Sequence, residues 1–367
     1  MKFYLFTILP LFLVIPLLGI AYVGWHVWTL LPLNGIWKSI VLAVGLSCFL
    51  MLFLDLSGTL DKLPLPLSRV LYEIGTSSIL VLLYLAMAFL LLDVGCLLHL
   101  FPRTWLSCNW VTTVALFGLL FTIFLCGNIH YKDKVRVALN LETSKTLTKD
   151  YTIVMASDLH LGYHNTRSDL AHWIDLINAE HPDLILFAGD IIDISLQPLL
   201  KENMAAEFRR LQAPVYACLG NHEYYSHEPR ARRFYEEAGI RLLKDSCAVI
   251  DEICIIGRDD RANPHRANLK KLMQQADSQR YLILLDHQPH ALEQAEQAHI
   301  DFQLSGHTHE GQIWPVSWIT HTLYECAWGR HQRAETQYYV TSGLGIWGGK
   351  FRIGTQSEYV VAKLKMK

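Results

Sequence analysis

The chain has 367 residues, 51% of them hydrophobic and 18% charged, with a mean hydropathy of +0.22; this excludes disorder and is too apolar for one average water-soluble domain. Charge is unevenly spread, since residues 1–130 hold 5 Lys and Arg with 4 Asp and Glu, against 27 and 30 in residues 131–367. The second part carries a net charge of −3, which gives no electrostatic reason to expect a nucleic-acid partner.

Four apolar stretches open the chain, each close to the roughly 20 helical residues that cross a hydrocarbon core. They are Phe3–Val23, interrupted by Pro10 and Pro16; Ile36–Leu54, with Lys38 near its start; Ser77–Leu100, containing Asp93; and Trp105–Gly127. The first is too long for the apolar core of a signal peptide and three more follow it, so it reads as a retained helix. Lys2, Lys62, Arg69, Lys132, Lys134 and Arg136 flank one side, against Lys38 and Arg103 on the other. That excess places both termini in the cytoplasm, in a multi-pass inner or plasma membrane protein. Asp93 has no evident intramembrane partner and is expected to turn toward the bundle or the interface rather than mark a transport path. The expected organisation is a four-helix transmembrane region over 1–130, a linker over 131–150 and a folded domain over 151–367.

Beyond the linker, short apolar runs suit strands buried on both faces: Tyr151–Ala156, Leu184–Phe187, Val215–Leu219, Ile253–Ile256, Tyr281–Leu285 and Phe302–Leu304. Between the first two, Leu170, Trp173, Ile174 and Ile177 repeat at helical spacing within Ser168–Glu180, behind a Ser cap. Gln337–Thr341 and Tyr359–Leu364 close the chain as two more strands around the glycine-rich Gly343–Gly354. The alternation predicts an α/β layered domain. Eight cysteines with no C-x-x-C read as buried free thiols rather than a zinc ribbon or a disulfide framework.

Histidine is the unusual count, with 14 of 17 beyond residue 130. The residues that follow the strands account for it. Strand one ends in Asp158 and His160, strand two in Asp190, strand three in Asn221 and His222, strand five in His287, and strand six in His307 and His309. Ligands in α/β sheets gather at the carboxyl ends of strands, so these termini are expected to meet in one crevice. Asp158 and His160 are two apart, as are His307 and His309, and an extended chain would point each pair the same way. The set holds too many ligands for one tetrahedral ion, and its mix of imidazole, carboxylate and amide suits two hard to borderline divalent ions. With Asp190 between them, such ions would flank an in-line displacement at phosphorus.

The ordered blocks SDLH, AGDIID, GNHE, LLDHQPH and SGHTHEGQ resemble the calcineurin-like metallophosphoesterase signature, from about Tyr151 to the C-terminus. The resemblance implies a four-layer α/β/β/α sandwich, with one metal on Asp158, His160, Asp190 and His309 and a second on the shared Asp190 with Asn221, His287 and His307. His222 would contact the phosphoryl group, stabilising the transition state or protonating the leaving oxygen. The implied cofactors are two divalent ions, manganese first, with iron, zinc and magnesium as alternatives. The wider wording, DLILFAGD, IGRDD, GHTHEGQ and SGLGIWGG, resembles the membrane-associated branch, some of whose members cleave the pyrophosphate of UDP-diacylglucosamine in lipid A synthesis. Ser357-Glu358 stands where that branch usually shows Pro-Glu. A phosphorylated amphiphilic lipid is therefore the expected substrate, with a soluble phosphodiester such as a cyclic nucleotide, or a non-catalytic sensor or scaffold, as the alternatives.

Other polar residues have blander expectations. His172, His227, His299, His321 and His331 read as surface or supporting groups, His164 and His290 as groups that orient a ligand, and Asp193 as support for Asp190 or a strand-exit cap. Asp259 and Asp260 read as a solvated acidic pair, and Arg230–Arg233 as an exposed helix face.

Overall fold

The computed structural model describes residues 2–367, with side chains from Pro16 onward. The chain divides into two compact units, Met1–Cys126 and Gly127–Lys367. Helices cover Lys2–Leu30, Gly35–Leu50 continued by Leu52–Leu56, Leu65–Leu97 and Trp110–Lys132. Among the described residues, three are long and apolar enough to cross a bilayer: Gly35–Leu56, Leu65–Leu97 and Trp110–Lys132. The expected span Phe3–Val23 falls mostly outside the residues whose side chains are described. Asp93 turns toward the helix bundle, as expected, and has partners there that the sequence did not make evident. It accepts from the Tyr22 hydroxyl at 2.8 Å and lies 2.9 Å from His26 Nε2. Tyr22 and His26 are four apart on one helix, hence on one face, and His26 stacks on Phe89 at 4.7 Å.

The second unit is built on two six-stranded sheets. In the first, β1 (Lys134–Thr143) and β12 (Ser357–Met366) run parallel, β12 meets β2 (Tyr151–Ala156) antiparallel, and β3 (Leu184–Ala188), β4 (Val215–Cys218) and β5 (Arg241–Leu242) continue parallel to β2. The second sheet has β7 (Ile253–Gly257), β8 (Tyr281–Leu285), β9 (Phe302–Ser305) and β11 (Thr336–Val340) parallel, flanked by antiparallel β6 (Ser246–Ile250) and β10 (Gly329–Arg333).

The continuous apolar runs are explained by the two-residue side-chain period of a strand. On β2, Ile153 and Met155 enter the core between the sheets, while Val154 and Ala156 face the helices outside. Tyr281, Ile283 and Leu285 of β8 join the same inner core, and Leu282 and Leu284 pack outward with Leu269, Leu272 and Ala295. Helices therefore cover the outer faces of both sheets. The helix Arg167–Ala179 buries Leu170, Trp173, Ile174 and Ile177, as their spacing predicts. Its cap is Thr166 rather than Ser168, in a capping box with Asp169.

The expected linker is a second correction. Residues 134–143 form β1, paired along its whole length with β12 from Lys134 with Ser357 to Thr143 with Met366. Lys134, Arg136, Asn140 and Glu142 make the segment look like a polar tether, but they belong to an edge strand with one wet face. Leu139 and Leu141 fill the inter-sheet core from the other face. All eight cysteines are free thiols.

Candidate dinuclear metal centre

The parallel strands of both sheets end at the same edge of the unit. Asp158 and His160 follow β2, Asp190 follows β3, and Asn221 and His222 follow β4, while His287 follows β8 and His307 with His309 follow β9. Five strand ends from two sheets thus deliver the residues the sequence singled out. The pleat is not what aims the paired ligands, however. Asp158, His160, Asp190, His307 and His309 have φ of +54°, +44°, +51°, +71° and +49°, so each sits in the left-handed region rather than in extended chain. Such backbone costs roughly 1–2 kcal/mol per non-glycine residue. Neighbouring loops hold it in place: Asp158 N donates to Gly189 O at 3.1 Å, His160 N to Asp190 O at 3.0 Å, and His307 N to both Asp158 carboxylate oxygens at 3.0 and 3.1 Å. A side chain at Gly220 would run into the Asp190 carboxylate, so only glycine lets the β4 loop approach it.

Two ligand clusters share this edge. In the first, His309 Nε2 lies 3.3 Å from Asp158 Oδ1 and 3.0 Å from His160 Nε2. The second groups Asp190, His287 and His307, whose ligand atoms lie within 4.8 Å of one another. Asp190 joins the two, its Oδ2 being 3.1 Å from His287 Nε2 and 3.8 Å from His160 Nε2. Asn221 is buried beside them, and its Oδ1 meets no donor.

The donor set fits divalent cations. His287 Nδ1 lies 2.7 Å from the Ala188 carbonyl and must carry a hydrogen there, which turns Nε2 toward a carboxylate oxygen. Two acceptors at that distance repel unless a proton or a cation lies between them. Burial lowers the His287 pKa, but Asp190 outweighs it and raises it well above the ordinary imidazole value. Burial likewise opposes protonation of His160, yet Asp158, Asp193 and Asp190 push it up to about 10. Burial would raise Asp158 and Asp190, but the surrounding imidazoles hold both carboxyls below their usual range. His307, by contrast, falls to about 4 through burial and the neighbouring His287, and burial also holds His309 low. Ionised carboxylates and neutral imidazoles are the ligand forms metals require, and the two retained protons sit where positive charge is needed.

Asp193 is buried under the cluster but supports different residues from the one expected. Its Oδ1 lies 3.4 Å from His160 Nδ1 and 3.1 Å from His222 Nδ1, so it orients two imidazoles rather than Asp190. His222 packs edge-on against His160 at 4.5 Å and keeps 12% of its side chain exposed. His164 is buried with Nε2 2.6 Å from Ile346 O, and burial lowers it to about 4. His290 stacks near Tyr324 at 4.9 Å. Arg230, Arg232 and Arg233 are exposed along the helix Glu228–Ala238.

Asp259 and Asp260 are not solvated; both are fully buried. Asp259 accepts from Tyr224 at 2.7 Å and Asn263 at 2.7 Å, and Asp260 accepts from Gln288 at 3.0 Å. Asp286, just before His287, is held by Arg258 at 3.2 Å and Arg266 at 3.1 Å. Sequence reasoning also passed over Glu223 and Arg352. Glu223 accepts from the amides of Gly220, Asp190 and Ile192 at 2.7, 3.1 and 3.0 Å, tying the β3 and β4 loops together. The signal was the acid of the GNHE block, three residues after Gly220. Arg352 is buried and donates to the carbonyls of His309 and Ser342 at 2.6 and 2.5 Å; a lone arginine in a glycine-rich loop gave no sign of this.

Residues 151–311 match the sequence profile of the family described as calcineurin-like phosphoesterase. The chain is 31% identical over 230 residues to a transmembrane protein with metallophosphoesterase domain of Danio rerio, covering 58% of this chain and 53% of that one. It is 32% identical over 228 residues to an uncharacterized metallophosphoesterase of Campylobacter jejuni, covering 60% and 61%. The chain thus spans less than two thirds of the length of either relative. Among solved structures, a 5'-nucleotidase precursor from Thermus thermophilus matches with a TM-score of 0.38 at 15% identity, covering 59% of this chain and 55% of that one. Residues 151–311, the part of the chain similar to that family, are also the part that gathers the aspartates and histidines at one sheet edge.

Proposed function

We propose that the chain is a membrane-anchored, metal-dependent phosphoesterase that hydrolyses a phosphodiester or pyrophosphate bond in an amphiphilic, lipid-linked substrate such as UDP-diacylglucosamine. The observation that carries the hydrolase reading is the position of Asp190, whose Oδ2 faces an imidazole nitrogen from each of two ligand clusters. Asp158, His160, Asp190 and His309 would hold one ion, and Asp190, Asn221, His287 and His307 a second, manganese being the first candidate. When bound, such ions supply Lewis-acid polarisation of a phosphoryl oxygen and lower the pKa of water. The remaining work falls to the chain's own residues. Asp193 holds His222 at Nδ1, which leaves Nε2 free to hand a proton to the leaving oxygen. The imidazoles around them keep the buried carboxylates ionised, and burial leaves the site open to water mainly at His222, His307 and His309.

Two features support the lipid-linked substrate: the apolar helices on the same chain, which confine the catalytic unit to a bilayer surface, and the resemblance of the IGRDD and SGLGIWGG blocks to the membrane-associated branch. The excess of Lys2, Lys62, Arg69, Lys132, Lys134 and Arg136 over Lys38 and Arg103 supports a cytoplasmic catalytic unit.

Hydrolysis of bis(p-nitrophenyl) phosphate by the purified full chain with added manganese tests the chemistry. The Asp190→Ala, Asn221→Ala double variant should lose at least about 100-fold, the upper end of what changes around a ligand produce; an unchanged rate would return the scaffold alternative. Lipid extracts of a deletion strain should show one accumulating phosphorylated lipid, and an unchanged profile would remove the lipid-linked substrate.

A further inference from the structure

We propose that the helix Val316–Leu323 docks the catalytic unit on the lipid bilayer surface. From Gly311 to Tyr324 the sequence holds no Asp, Glu, Lys or Arg. A surface helix in water turns its apolar stripe inward and its polar face out, but here the order is reversed. Ser317 and Thr320 are the buried residues of this helix, whereas Trp318, Ile319 and Leu323 are 64%, 57% and 70% exposed. Trp314 leads into the helix and packs edge-on against Trp318 at 5.5 Å, widening the apolar strip. The helix cannot roll over to hide that strip, because a side chain at Gly311 would already meet the Ser317 backbone at 2.5 Å; its small polar edge is locked against the loop that carries His309.

A lipid surface is the occupant this strip fits, because the strip is tied through residues 350–353 to Gly127 and Asn128, where the chain leaves a helix long and apolar enough to span a bilayer. Gly127 and Asn128, in the last turns of Trp110–Lys132, are bonded to the segment Lys350–Ile353: Arg352 N donates to Gly127 O at 3.0 Å and Asn128 Nδ2 to Lys350 O at 2.9 Å. Ile353 O in turn accepts from Trp314 N at 2.7 Å. Tryptophan favours the boundary between hydrocarbon and headgroups, where its ring is buried and its N–H stays wet. A second copy of the chain fits less well, since a two-turn helix of about 12 Å presents far less than the ~800 Å² per partner of a stable interface. The helix leads into Tyr324, whose ring lies 6.4 Å from that of the ligand His307, so the docked edge borders the metal site.

The test is site-directed spin labelling of the full chain in nanodiscs, with the exposed Cys108 and Cys126 changed to serine. A nitroxide at Ile319→Cys should be several-fold more accessible to oxygen than to a water-soluble nickel chelate. The same label at Leu119→Cys, on the spanning helix, reports lipid, and at Glu335→Cys, on the exposed β10–β11 turn, reports water. Nickel accessibility at Ile319 equal to that at Glu335 overturns the docking proposal while leaving the spanning helix standing; water-like readings at Leu119 as well overturn both. Dipolar broadening between labels, with neither reagent admitted, overturns it in favour of a second copy. A label at Leu323→Cys gives the same reading should Ile319→Cys fail to fold.

Discussion

His222 and His160 share one buried carboxylate, Asp193, at 3.1 and 3.4 Å. Asp193 fixes which nitrogen of each ring is left for other work, and its carboxyl is held well below the usual range, burial being outweighed by bonds from these two imidazoles. Asp193→Asn keeps the volume but removes the charge. It should lower turnover roughly 10–100-fold, the range typical of residues that orient a ligand, with a smaller change in KM because Asp193 is buried away from the substrate. Steady-state kinetics separating kcat from KM will show this, and a loss confined to KM would assign Asp193 a different role. The residue types at this edge were legible in the sequence because each chemistry-bearing residue follows a recognisable apolar run. Their left-handed backbone was not, since φ at Asp158 or His309 is set by bonds to loops that are distant in sequence.

At the scale of elements, the capping box of Arg167–Ala179 couples secondary structure to pH. Thr166 accepts from the Asp169 amide and Asp169 accepts from the Thr166 amide at 2.8 Å. Thr166→Ala should cost about 1 kcal/mol, read from denaturation of the full chain in detergent. Burial pushes the Asp169 carboxyl up, but Lys350 and the Thr166 bonds more than offset this and hold it below the ordinary value. A depressed carboxylate contributes stability above its unfolded pKa and loses it as pH falls through the folded one. The penalty of Asp169→Asn at neutral pH should therefore shrink as pH drops below about 4, and a pH-independent penalty would contradict the ionised cap. β1 makes a parallel case: Leu141 is fully buried between the sheets, so Leu141→Ala should cost roughly 2–5 kcal/mol. A cost near zero in the same denaturation would restore the tether reading of this segment.

For the whole molecule, the centre binds two sheets into one edge, so occupancy and stability are linked. Ligand that binds only the folded state adds about 2.7 kcal/mol at 100 times its Kd, and chelation should lower the melting temperature of the full chain accordingly. Because His160 is pushed up to about 10 and His287 is also raised, loading must displace protons, and affinity should increase with pH. Manganese titration in weak buffer should acidify the solution; no proton release would mean that these imidazoles are not ligands. Topology is a second property of the whole chain. Single cysteines at Glu335 and at Arg103 should be labelled from opposite faces of sealed vesicles, Glu335 from the cytoplasmic one, and labelling of Glu335 only from outside would reverse the orientation.

The sequence alone determined which part of the chain is apolar enough for a bilayer, which runs become buried strands, and which side chains stand at their ends, because hydropathy and periodicity are local patterns that survive in one dimension. Tertiary structure alone decided that residues 134–143 pair with the far end of the chain, that Asp259 and Asp260 are buried, and that Asp93 meets Tyr22 and His26. It also decided that Asp193 serves two histidines and that Val316–Leu323 wears its apolar side outward. Each of these depends on what lies across a sheet, a loop or a helix face, and partners separated by many residues leave no periodic trace in the chain itself.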